Sequence, residues 1–242
     1  MRSRIWLAAV AVACATPSLS YGMKAVSCSD DVSGIKVPQS TSSVGALNDL
    51  KYHFQKDQED RVAVAGIIAN NPGAVEQGKK GLDGDYNPDK IAGGIVDDLR
   101  GAGKITSLEQ LADNDNRRLN IVLDLLKAGR VRTGEELYYA GFILQHSMCN
   151  SHIKLANTLA AAAIDRGDEN AKWLYAASMD RYLVGEGKPQ KYGTQFAMRD
   201  GKPVQYPVDP GVTDAERAKY NVLPLSEIIK RGGRSGVKNF SN

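Results

Sequence analysis

The residues best suited to chemistry lie between Tyr138 and Phe196: Gln145-His146, Asp180-Arg181 and the block Gln190-Lys191-Tyr192-Gly193-Thr194-Gln195. His146 is the acid–base candidate, because an unperturbed imidazole titrates near neutrality. It also sits near the end of an otherwise apolar helix, where a buried or capping role is the structural alternative. Arg181 carries a planar fork that fits a carboxylate or phosphate. Asp180 is its neighbour, and side chains adjacent on a helix diverge by about 100°. One of the two therefore faces the core when the other faces out. Thr194 is a nucleophile only with a base beside it. The amides of Gln145, Gln190 and Gln195 orient ligands but do not take protons. Glu135 and Glu136 are adjacent carboxylates that diverge, which favours solvent over catalysis.

Two further patterns touch the same stretch. His146-x2-Cys149-x2-His152 has the spacing of metal ligands. On a straight helix the two histidines lie about 240° apart, so a site needs a break near Asn150. No metal and no cofactor are expected. His53 stands alone and reads as exposed. The chain has no Gly-x-Ser-x-Gly elbow, phosphate loop, HExxH or dinucleotide fingerprint.

The elements that must position these groups read as helices. Ser42-Ser43 offers a cap for a helix to about Arg61, with Leu47, Leu50 and Phe54 at helical spacing. Asp57 and Arg61 are four apart and read as a solvated surface pair, and also as ligand-binding candidates. Asn70-Asn71-Pro72-Gly73 breaks the chain. A Gly-rich insertion follows near 73–104, with a short helix expected over 89–99. Its Asp83-Gly84-Asp85 lacks the remaining spacing of a calcium loop. A helix from Ser107 to Ala128 buries Leu108, Leu111, Leu119, Val122, Leu123 and Leu126. Ser107 with Gln110, and then Thr133 with Glu136, read as capping boxes. Further helices are expected from Thr133 to about Ser147, from Asn150 or Ser151 to Gly167, and from an Asp168 cap to about Val184.

Ala160–Ala163 and Ala171 flank Arg166-Gly167-Asp168 in an αα-hairpin that resembles a tetratricopeptide-like unit. Only one such unit is convincing, so a compact bundle is expected rather than a solenoid. Phe196–Pro207 reads as a β-hairpin turning at Asp200-Gly201. Thr213 with Glu216 reads as another capping box, and Leu225–Lys230 as a last turn or two of helix. The expected fold is mainly α: a compact helical bundle with the αα-hairpin, followed by a small β-hairpin. The expected organisation is a signal peptide over 1–20, an extended tail or short strand over 21–42, and one helical domain over 43–242.

Length and composition narrow the classes. The 242 residues are 42% hydrophobic and 24% charged, which is ordinary for a globular protein. Net charge is +3, and loss of Arg2 and Arg4 with a signal peptide leaves about +1. A nucleic-acid surface needs many more clustered cations, so none is expected. Arg2 and Arg4, the apolar run Ile5–Ala15 and the small residues near Ser18 and Ser20 read as an export signal. The apolar run is too short to span a membrane. Cleavage near Ser20 ranks first, and lipidation of Cys14 is the alternative. Export leaves Cys28 and Cys149, which either pair in an oxidising compartment or remain as two thiols.

The order Asp57-Gln58-Glu59-Asp60-Arg61, Asp115 with Arg118, Gln145-His146, Asp180-Arg181 and Gln190-x-Tyr192-Gly193-Thr194-Gln195 resembles an uncharacterised bacterial family. That family is known as a domain of unknown function. The resemblance spans roughly residues 44 to 196, and its most specific block is Gln-x-Tyr-Gly-Thr-Gln. It implies that these positions belong together and assigns no activity.

The resulting expectation is one polar cluster. His146, Asp180 and Thr194 are the catalytic candidates. Arg181, Gln145, Gln190, Tyr192, Gln195, Asp57 and Arg61 are the ligand-binding candidates. The first function class is an exported, periplasmic or secreted, helical binding or scaffold protein of the bacterial cell envelope. Its partner would be a peptide, an envelope component or a small molecule. The second is an exported hydrolase or transferase with His146 as general base.

Overall fold

The structure is a computed structural model and describes residues 28, 32, 34–37, 46–70, 108–199 and 202–231. The expected signal peptide with Cys14, the Gly-rich insertion with Asp83-Gly84-Asp85 and helix 89–99, the Ser42-Ser43 and Ser107 caps and the Asp200-Gly201 turn lie outside them.

The described chain runs α1 (Leu47–Asn70), α2 (Leu108–Lys127), α3 (Gly134–Leu144), α4 (Asn150–Asp165) and α5 (Ala171–Gly185). It continues with β1 (Phe196–Arg199), β2 (Lys202–Gln205), α6 (Asp214–Lys219) and α7 (Leu225–Lys230). The fold is mainly helical, with a two-stranded antiparallel hairpin pairing Phe196 with Gln205 and Arg199 with Lys202. Helix α3 is the hub and packs against α1, α2, α4 and α5. Eight of its residues are buried, from Glu136 and Leu137 to Leu144.

Local signals explain most of the boundaries. Thr133 and Glu136 form the expected capping box at α3, with Thr133 N–H donating to Glu136 Oε2 at 2.9 Å. Glu136 is therefore buried, not solvent-facing. Arg132 N–H adds a further bond to the same oxygen at 2.8 Å. Gly129 and Gly167 adopt positive φ at the turns after α2 and α4, which a side chain would disfavour. Small residues then set the helix spacing. A Cβ on Gly141 would lie 3.1 Å from Ala156 O, so α3 and α4 approach closely where Ala156, Ala160 and Ala163 are fully buried.

Several expectations shift. Helix α1 runs past Arg61 to Asn70, because Ala63–Ala69 propagates the helix until the Asn-Asn-Pro-Gly breaker. Asp168 does not directly cap α5. Asn170 is the N-cap, and Asp168 Oδ1, two residues earlier, accepts from Asn170 N–H at 2.9 Å. At α6, Thr213 accepts from Glu216 N–H at 3.2 Å, while the Glu216 carboxylate pairs with Lys219 at 2.6 Å. The described part of the tail forms a turn, Ile35 N–H to Val32 O at 3.1 Å, and not a strand. Val32, Ile35 and Val37 pack on the core, and Cys28 is disulfide-bonded to Cys149. Among the described residues no helix is long and apolar enough to cross a membrane.

Candidate functional site

The expected polar set is sorted into two clusters on either side of α5, where Asp180 and Arg181 diverge as neighbouring helical residues must. Asp180 is fully buried and faces the loop that follows. Its Oδ1 accepts from Lys191 N–H at 2.7 Å and Tyr192 N–H at 2.9 Å. Its Oδ2 accepts from Thr194 N–H at 2.9 Å and Thr194 Oγ1–H at 2.8 Å. Burial pushes the Asp180 carboxyl up, against these four bonds that favour its ionised form.

The loop is bonded largely to itself, although Gln195 Oε1 is buried without a hydrogen-bond partner. Gln190 Nε2 donates to Gln195 O and Tyr206 O at 3.0 and 2.9 Å, and Gln190 Oε1 accepts from Gln195 N–H at 2.8 Å. Gln195 Nε2 reaches back to Ala177 O on α5 at 3.2 Å. Gly193 reverses the chain at φ +85°, and a Cβ there would lie 3.0 Å from both Gln205 Nε2 and Leu225 Cδ1. Arg217, buried on α6, clamps the outside: its Nε donates to Tyr192 O at 3.1 Å and its Nη1 to Val212 O at 2.7 Å. Sequence reading missed Arg217. A lone arginine on a short polar helix gives no periodic signal of burial.

The second cluster surrounds His146. The buried face of α1 carries Leu50 and Phe54, after Ala46 just before the helix, and then, in the same helical register, Asp57 and Arg61. The expected solvated pair is therefore a buried one: the Asp57 and Arg61 side chains are 1% and 6% exposed. Arg61 Nη2 lies 3.4 Å from Asp57 Oδ1 and 2.8 Å from Asp115 Oδ2 on α2. Arg118 Nη2 bonds Asp60 and Asp115 at 2.8 and 2.9 Å. Gln58 Nε2 donates to Asp57 Oδ2 at 2.7 Å, and Asn114 Nδ2 to Asp60 Oδ2 at 3.1 Å. Asp60, Asp115 and Arg118, quoted in the sequence motifs above without a catalytic or ligand-binding role, complete this cluster. Their register with the apolar stripes of α1 and α2 is the signal that finds them.

His146 follows α3, and its Nδ1 lies 3.0 Å from Asp57 Oδ1, with the side chain 4% exposed. Burial lowers the imidazole pKa, Arg61 and Arg181 lower it further, and Asp57 opposes them. The ring is thus neutral at neutral pH. An Nδ1–H donated to Asp57 makes Nε2 the basic nitrogen. Burial pushes the Asp57 carboxyl up, but Arg61, His146 and Arg118 together hold it well below the usual carboxylate range. Arg181 Nη1 donates to Gln145 O at 2.9 Å, which ties α5 to the end of α3 beside this cluster.

The remaining candidates resolve simply. Cys149 is in a disulfide, so it is not a thiolate ligand between His146 and His152. His152 is buried, with Nδ1 2.8 Å from Ser147 Oγ. His53 is half-buried against Tyr52, not fully exposed. Burial and the Arg118 charge lower its pKa. A cleft of about 490 Å³ opens at the other end of α3, lined by Glu135, Tyr138, Tyr139, Arg166 and Asp168 among others. It lies roughly 15 Å along the helix from His146.

Comparison of the chain with protein-family models, with curated proteins and with solved structures finds no match.

Proposed function

We propose that the protein is an exported helical binding protein of the bacterial cell envelope, periplasmic or secreted, whose ligand contacts the His146 corner. The observation that carries this is the closure of the Asp180 cluster. Four donors on one buried carboxylate, and a loop bonded to itself, serve to fix a shape, and the Asp180 oxygen that accepts from Thr194 Oγ1–H is shared with Thr194 N–H. Asp180, Thr194, Gln190, Tyr192 and Gln195 are positioning residues in this reading. His146, Gln145 and Arg61 meet the ligand in this reading, and Asp57 and Arg181 hold them in place. Export is supported by the charged start, the short apolar run and the disulfide, which persists in oxidising compartments.

A panel of peptides, cell-wall fragments and small metabolites tests binding by thermal shift on the oxidised protein, with His146→Ala as control. A ligand that raises the melting temperature of the wild type and not of the variant supports the reading. Absence of any such ligand counts against it. N-terminal sequencing of protein from the native host tests export. An intact Met1 would refute export, and a lipid on Cys14 would make the protein an anchored one.

A second reading is favoured by one observation. The neutral His146 imidazole held by Asp57 is the arrangement of an oriented general base. In that case the protein is an exported hydrolase or transferase. Turnover by the wild type and its loss in a stably folded His146→Ala would establish it.

A further inference from the structure

We propose that the group recognised at the His146 corner is a small oxyanion, a phosphate or carboxylate, held by Arg61 and Arg118 beside the imidazole. The inference rests on the binding reading above and supplies the chemistry of its ligand.

The carboxylates of the cluster are committed. Asp57 Oδ1 serves His146 and Arg61, and its Oδ2 serves Gln58. Asp60 Oδ2 serves Asn114 and Arg118, and Asp115 divides its two oxygens between Arg61 and Arg118. Two donors are left over. Arg61 is nine-tenths buried, yet its Nη1 has no hydrogen-bond partner. Arg118 is equally buried, and its Nε, 3.9 Å from Asp57 Oδ1, makes no hydrogen bond either. A buried donor without an acceptor destabilises a fold, so two on adjacent guanidinium groups point to an acceptor that belongs there.

The geometry selects the class of acceptor. Each guanidinium leaves one nitrogen without an acceptor, and charge-assisted hydrogen bonds from such donors to phosphate or carboxylate oxygens are the strong ones. Burial is the first cause of the lowered His146 pKa, and Arg61 and Arg181 add positive potential at the imidazole that Asp57 opposes. Gln145 Oε1 is also buried without a hydrogen-bond partner and sits on the residue before His146.

The test is a nuclear magnetic resonance titration of the oxidised protein with inorganic phosphate and, separately, with acetate. Ionic strength is held constant with chloride. The His146 imidazole is the probe, and His152, bonded to Ser147, is the internal reference. The expected result is a saturable His146 shift with His152 unmoved, weakened about tenfold in Arg61→Lys and in Arg118→Lys, which keep the charge and lose the guanidinium donors. A response to phosphate alone assigns a phosphoryl ligand, and to acetate alone a carboxylate ligand. If Arg61→Lys does not fold, the phosphate-induced rise in wild-type melting temperature and its loss in Arg118→Lys decide the matter. No saturable shift with either anion, a shift undiminished in both variants, or one that chloride reproduces overturns the proposal. A neutral ligand from the panel that moves His146 while both anions fail would overturn the oxyanion and leave the binding reading standing.

Discussion

His146 Nδ1 and Asp57 Oδ1 lie 3.0 Å apart although 89 residues separate them in the chain. The contact joins the end of α3 to the middle of α1 and puts a neutral imidazole among arginines. It also gives the fold a pH dependence of definite sign.

The folded pKa of His146 lies below its ordinary value of 6.5. Below pH 6.5 the unfolded chain therefore binds a proton that the folded chain refuses. Stability falls as pH drops from about 6.5 towards the folded value, and then levels off. Asp57 acts lower on the scale. Its folded pKa is depressed, so its contribution is complete above the ordinary 3.8 and is lost as pH falls through the folded value. Urea denaturation between about pH 5 and 7 should show the histidine slope in the wild type and a flatter profile in His146→Gln. An identical slope in both would show that His146 does not carry it.

Asp180→Ala should cost about 3 kcal/mol or more, because it strands three backbone N–H groups and the Thr194 hydroxyl. Hydrogen exchange should speed up first at Lys191, Tyr192 and Thr194. Asp180→Asn keeps the shape but accepts fewer bonds, so its loss should be smaller. Unchanged exchange at those three amides in Asp180→Ala would contradict the assignment of the loop as a structural staple.

Leu123 is 1% exposed on α2, whereas Ile121 on the same helix is 36% exposed. Leu123→Ala should cost about 2–5 kcal/mol, and Ile121→Ala about 0.5 kcal/mol or less. Equal losses in denaturant titrations would mean that the apolar stripe of α2 is placed wrongly.

The Cys28–Cys149 bond closes a loop with a sequence separation of 121. Reduction should lower stability by about 4–5 kcal/mol through the entropy regained by the unfolded chain. Cys28→Ser should be destabilised by the same amount and be insensitive to reductant. A variant as stable as the oxidised wild type would refute this constraint on the unfolded state.

The sequence alone determined the local elements. Thr133 with Glu136, the glycines after α2 and α4, and the apolar spacing of residues 119–126 each act over a few residues, so their consequences are readable in order along the chain. The mainly helical fold and the hairpin at 196–205 follow from such signals. Tertiary structure decided the rest. Periodicity shows that Asp57 and Arg61 share a face, but their burial depends on Asp115 from α2 and His146 after α3, which local spacing cannot supply. The loop's need for partners was visible in its polar residues. That Asp180 would meet most of it, and Arg217 clamp it, required the chain to fold back over α5. Likewise, two cysteines in the expected mature chain allow a bridge, but only the packing of the tail against the turn after α3 brings their Cα atoms to 5.4 Å. A buried polar group is stable only when its partners arrive with it, and those partners come from distant parts of the chain.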